Sequence, residues 1–129
     1  MKQIILVVVA HSDDETIGMG GTIKKHVNNG DKVFVISMTD GVSSRKDISS
    51  KEAEERKICA INASKNLGFT WGKCYEFEDN KMDNYPLLEI VKCIELAKKT
   101  YKPTLVYTHS IADLNIDHNI VNRAVMTAS

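Results

Sequence analysis

The stretch Gln3-Ile4-Ile5-Leu6-Val7-Val8-Val9-Ala10-His11-Ser12-Asp13-Asp14-Glu15 decides the fold. Gln3 to Val9 is a continuous apolar, β-branched run, the pattern of a parallel strand buried on both faces. It is too short to cross a bilayer, which takes about 18 or more apolar residues. Charge follows it at once, where a secretory leader would need a longer apolar core and a small-residue cleavage site. The expectation is a cytoplasmic protein. Cys59, Cys74 and Cys93 agree, being odd in number and widely spaced, which argues against a disulfide framework. They read as buried thiols.

Outward from that strand the pattern alternates. A helix is expected from Ile17 to Asn28, a strand from Lys32 to Met38, and a turn at Thr39-Asp40-Gly41. Val42 to Ser50 is polar and reads as a loop. A helix over Lys51–Leu67 has Ile58, Ile61 and Leu67 near one face, with Gly68 as its stop. A short strand over Lys73–Phe77 and a polar loop over Asp79–Asp83 follow. The next helix is expected to begin at Pro86 and run to Thr100, with Leu87, Ile90, Val91, Ile94 and Leu96 in helical period. Thr104–Thr108 makes a fourth strand, and a last helix begins near Asp117.

The chain has 129 residues, with 17 basic and 17 acidic side chains. That length is one domain, here residues 1–129. The charge balance gives no support to a nucleic-acid or anionic-membrane surface. Alternating strands and helices imply an α/β fold. The expected form is a Rossmann-like doubly wound parallel sheet, a three-layer αβα sandwich with strand order 3-2-1-4. Strands 1 and 4 then become neighbours, and the crevice outside their carboxyl ends is where such folds bind ligands.

Two clusters should meet there. His11, Asp13, Asp14 and Glu15 follow the first strand; His109, Asp113, Asn115, Asp117 and His118 follow the fourth. They hold three of the chain's four histidines, so the convergence is not scattered surface charge. Asp and Ser after a strand often only cap the next helix, but the second cluster on the neighbouring strand weighs against that reading. Imidazole and carboxylate together suit zinc or another divalent transition metal. His11 and His118 supply two ligands, and one of Asp13 or Asp14 the third. The other aspartate is then placed as a general base.

At these residues the sequence resembles a known family. Ala10-His11-Ser12-Asp13-Asp14-Glu15 looks like the AHPDDE motif of the PIG-L (LmbE-like) zinc-dependent N-acetylglucosamine deacetylases. Asp113-Leu114-Asn115-Ile116-Asp117-His118 resembles their second metal motif, Thr39-Asp40-Gly41 their T-x-G turn, and Arg56 with Leu67-Gly68 their R…LG helix. The resemblance implies Zn2+ held by His11, Asp14 and His118, with Fe2+ or another divalent metal also suited. It makes Asp13 the base that activates water against the acetamide of an N-acetylated amino-sugar conjugate. Asp117 would orient a metal-bound imidazole.

The sequence departs from the family at three points. Ser12 replaces the usual proline. Asn115 stands where many members carry histidine, and an amide donates hydrogen bonds but does not shuttle protons. Proton return then falls to Asp13, or to His109. Third, the chain ends at Ser129, earlier than family members usually do. The expectation is the metal-binding front part of a longer domain, with a further segment or a second copy covering the fourth strand.

Around the crevice, Arg45, Asp79, Asn80 and His109 are candidate substrate contacts. His26 beside Lys24 and Lys25 reads as solvent-facing, and Trp71 as packing at the edge of the core. Gly18, Gly20 and Gly21 match no dinucleotide or P-loop signature and suggest a close helix–strand approach. The leading function is metal-dependent N-deacetylation. The alternatives are a metal-binding but catalytically silent fragment or degenerate member, iron–oxygen chemistry on the same ligands, and a plain nucleotide-binding domain.

Overall fold

The structure is a computed structural model that describes residues 2–11, 14–39, 50–78, 81–110 and 115–128. In chain order the elements are β1 (Ile4–Val9), α1 (Asp14–Asn28), β2 (Lys32–Thr39), α2 (Ser50–Leu67) and β3 (Thr70–Phe77). A 3-10 turn (Met82–Asn84) leads to α3 (Leu87–Tyr101), β4 (Leu105–Tyr107) and α4 (Ile116–Ala128). The sheet order is β3-β2-β1-β4, all parallel. The expected order 3-2-1-4 is the one found.

The core follows from the two-residue period of β1. Leu6, Val8 and Ala10 face one way, where Ile36 and Met38 of β2 join Ile90, Val91 and Ile94 of α3 and Val121, Ala124 and Val125 of α4. Ile5, Val7 and Val9 face the other way, against Val33, Val35, Phe69 and Ile23 of α1. Both faces of β1 are therefore covered, as its unbroken apolar run requires. Trp71 packs on this second cluster and donates from Nε1 to the Ala60 carbonyl at 2.9 Å. Among the described residues no helix is long and apolar enough to cross a membrane.

Several element ends differ from the sequence reading. The first helix starts at Asp14, three residues earlier than Ile17. The third strand starts at Thr70 rather than Lys73, because it pairs with β2 from Phe34 onward. Pro86 is the cap of α3, not its first residue, with extended backbone at ψ 133°. The polar stretch before it contains the 3-10 turn, whose Met82 is fully buried.

The helix α2 departs more. Ile58 and Ile61 are each 49% exposed, and of the three residues proposed for its inner face only Leu67 packs on a core cluster. Leu96 of α3 is exposed as well. Nor are the cysteines buried: Cys59 and Cys74 are exposed and Cys93 is half-buried. A β-carbon added at Gly20 would approach nothing nearer than Leu67 Cδ1 at 3.9 Å, and one at Gly21 would meet nothing within 4 Å. A tight approach does occur at Gly68, where φ is +85° and a β-carbon would lie 2.7 Å from Val27 Cγ1.

His26 is not solvent-facing. Its Nδ1 bonds Asp31 Oδ2 at 2.8 Å and its Nε2 bonds the Tyr107 hydroxyl at 3.0 Å. Asp31 also accepts the Gln3 N–H at 2.9 Å. That backbone bond first, and the His26 bond second, hold its carboxyl below the usual carboxylate range. The network ties the end of α1 to β1, β2 and β4 at the sheet face away from α3.

Candidate metal centre

The site lies where β1 and β4 end. β1 and β4 pair from Ile5 and Leu105 as far as Val7 and Tyr107, and beyond that point side chains take over from the backbone ladder. Thr108 Oγ1 donates to the Val8 carbonyl at 3.0 Å. The Ala10 N–H donates to His109 Nε2 at 3.0 Å. On the β2 side, Thr39 donates to the Ala10 carbonyl from both its N–H, at 2.9 Å, and its Oγ1, at 2.7 Å. The backbone around Ala10 and Val8 is thus satisfied while β4 turns away from β1.

Asn115 opens α4. Its Oδ1 accepts the N–H groups of Asp117 at 3.0 Å and His118 at 3.2 Å, an N-cap that supplies two of the donors a helix start leaves unpaired. Capping sets the first turn of α4 so that Asp117 and His118 both reach β1. Asp117 is fully buried. One of its oxygens accepts the Met82 N–H at 3.2 Å, and the other lies 3.0 Å from His11 Nε2.

The two imidazoles converge. His118 Nε2 lies 3.2 Å from His11 Nδ1. A carboxylate only accepts hydrogen bonds, so as a carboxylate Asp117 fixes the proton of His11 on Nε2 and turns the Nδ1 lone pair toward His118. Two nitrogen ligands on one tetrahedral zinc, each about 2.0–2.1 Å from it, lie about 3.3 Å apart. The observed spacing therefore fits a shared divalent ion, with Asp117 bracing the far side of one ligand. Behind them the ring of His109 stacks flat on that of His118, with centroids 3.8 Å apart and planes 9° apart.

The structure thus brings His11, His109, Asn115, Asp117 and His118 together. Asp14 stands at the first residue of α1, three positions after His11 in sequence, but its side chain lies outside the described residues. Asp13, Arg45, Asp79 and Asn80 lie outside them as well. Among the described residues no three ligating side chains form a cluster; the side chains of Asp13 and Asp14 are not among them. Asp117 sits beside His11 rather than beside its sequence neighbour His118. His109 was expected to meet substrate, and its Nε2 lone pair is engaged by Ala10. One residue of the cluster escaped sequence reading: Asn122, 7% exposed, donates from Nδ2 to the His109 carbonyl. Its spacing of four from His118, on an otherwise apolar helical stripe, is the signal that could have found it.

Solved structures share this fold. The 4-carboxy-2-hydroxymuconate hydratase GalB from Pseudomonas putida KT2440 is similar over 99% of this chain and 55% of its own, at 25% identity and a TM-score of 0.83. The N,N'-diacetylchitobiose deacetylase from Pyrococcus horikoshii is similar over 98% of this chain and 49% of its own, at 25% identity and a TM-score of 0.82. The A40926 pseudoaglycone deacetylase Dbv21, at 23% identity and a TM-score of 0.79 over 99% of this chain and 59% of its own, bears on the fold alone. The chain spans about half the length of the solved structures it matches. A family model described as PIG-L, GlcNAc-PI de-N-acetylase, matches residues 6–129, and the chain belongs to that family.

Proposed function

We propose that the chain carries the metal-binding part of an N-deacetylase acting on an N-acetylated amino-sugar conjugate. The observation that carries this reading is the pair of imidazole nitrogens facing each other at 3.2 Å, braced by buried Asp117. Family membership and the likeness to a diacetylchitobiose deacetylase support it. His11, His118 and Asp14 would hold the ion, with Zn2+ the first candidate and Fe2+ the second. A bound divalent ion supplies Lewis acidity, which polarises an amide carbonyl and makes water a nucleophile at neutral pH.

The remaining work falls to side chains. Asp13 takes the proton of the attacking water as its oxygen bonds to the acetamide carbon. The C–N bond then breaks, and the proton passes to the departing nitrogen, giving acetate and a free amine. Asp13 also returns that proton in this reading. Asn115 cannot shuttle one, its oxygen caps α4, and the Nε2 of His109 already accepts from Ala10. Arg45, Asp79 and Asn80 are proposed to meet the sugar or its carrier.

The likeness to a hydratase favours a second reading, in which the same activated water adds to the C=C bond of an unsaturated carboxylate. One experiment separates the two. The zinc- or iron-loaded protein is given N-acetylglucosaminyl compounds and, in parallel, a 2-hydroxymuconate-type dienoate. Acetate release that is lost in Asp13→Asn supports deacetylation. Loss of the dienoate's conjugated absorbance without acetate release supports hydration. Metal bound with neither reaction supports a silent metal-binding part, and acetate release undiminished in Asp13→Asn overturns the mechanism.

A further inference from the structure

We infer that Asn122 is a positioning residue of the metal centre, acting through His109 on the ligand His118; the inference rests on the metal-centre reading above. Asn122 lies one helical turn beyond His118, on the same face of α4. Its Nδ2 donates to the backbone carbonyl of His109, a group just past the point where β4 stops pairing with β1. From that anchored backbone the His109 ring makes two contacts at once. Its Nε2 accepts the Ala10 N–H, and its face lies flat on His118. Accepting at Nε2 puts the neutral ring's proton on Nδ1, so tautomer and ring orientation are fixed together. A histidine whose backbone and ring are both pinned forms a rigid wall behind His118, whose Nε2 meets His11 on the other side.

Fold stability alone does not account for an asparagine here. Its Oδ1 is buried and finds no hydrogen-bond partner among the described residues, and a buried unpaired oxygen is a cost to the folded state. The neighbouring inward positions of α4 are Val121, Ala124 and Val125, all apolar and buried. The amide stands among apolar neighbours, and its one side-chain hydrogen bond among the described residues leads to the wall of the metal site.

The test uses Asn122→Leu, which keeps the volume and removes the donor, and Asn122→Ala should the larger side chain hinder folding. Two readings are taken on the folded protein: exchange of the Ala10 amide hydrogen without metal, and zinc affinity by competition with a chelator. The expected result is faster exchange at Ala10, with the amides of Leu6 and Val8 still protected. A weakening of zinc binding by about tenfold or more goes with it, the size typical of groups that orient a ligand, while the urea midpoint changes little. Protection at Ala10 and zinc affinity both unchanged overturn the inference and leave the metal-centre reading standing. A wild-type protein that binds no zinc or iron overturns that reading, and with it the role given to Asn122.

Discussion

Replacing Asp117 by asparagine tests how the centre is held. Two N–H groups converge on this buried side chain, Met82 N–H on one oxygen and His11 Nε2 on the other. A carboxylate has an acceptor for each; an asparagine has one oxygen and one NH2. Whichever way the amide is turned, a donor faces a donor. If the NH2 faces Met82, that N–H is left unpaired in the core. If it faces His11, the ring must move its proton to Nδ1, and the lone pair pointing at His118 is lost. One unpaired buried donor costs about 1–3 kcal/mol, so the metal-free variant should lose about that much unfolding free energy and unfold at lower urea. Loss of the carboxylate behind His11 should weaken zinc by about 10- to 100-fold, or about 1.4–2.7 kcal/mol. Urea unfolding monitored by the single tryptophan gives the first quantity, and chelator competition gives the second. A folded Asp117→Asn protein with unaltered zinc affinity would refute the bracing role, even if stability fell as expected.

Three further outcomes follow from the same geometry. Asn115→Ala removes the oxygen that caps α4 and should cost about 1 kcal/mol in urea unfolding, whereas Asn115→Asp should restore most of it; equal losses in both would contradict the cap. Gly68→Ala places a β-carbon against Val27 at φ +85° and should destabilise by more than about 1 kcal/mol, which thermal unfolding would register. Asp31, whose carboxyl is held low by the Gln3 N–H and then by His26, contributes stability that is complete above the ordinary carboxylate range. That contribution is lost as pH falls through its depressed value, so Asp31→Asn should flatten the acid side of the stability curve. A variant as acid-sensitive as the wild type would contradict this.

The sheet was legible because β1 is apolar at every position and so demands cover on both faces. The strand order then followed from the doubly wound rule, and with it the meeting of the His11 and His118 segments. Local detail was less legible where partners are distant in sequence. The lysines beside His26 suggested solvent, yet its partners are Asp31, in the turn before β2, and Tyr107, far along the chain in β4. The period of Ile58 and Ile61 suggested an inner face, but the half-buried stripe of the helix runs instead through Arg56, Ala60, Ala63, Ser64 and Leu67. Asp117 adjoins His118 in sequence, but which imidazole it reaches is set by the helix turn, which delivers its carboxylate to His11. Asn122 carried no motif, and it draws notice only once its Nδ2 is seen to donate to the His109 carbonyl, beyond the last residues that pair β4 with β1.

His11 and His118 are proposed to share one ion. Zinc titration of the protein, followed through the ring nitrogen resonances of its histidines, tests this most directly. The predicted result is saturation at about one equivalent, with coordination shifts at His11 Nδ1 and His118 Nε2 and none at His26. No binding, or binding that leaves those two nitrogens unshifted, would contradict it.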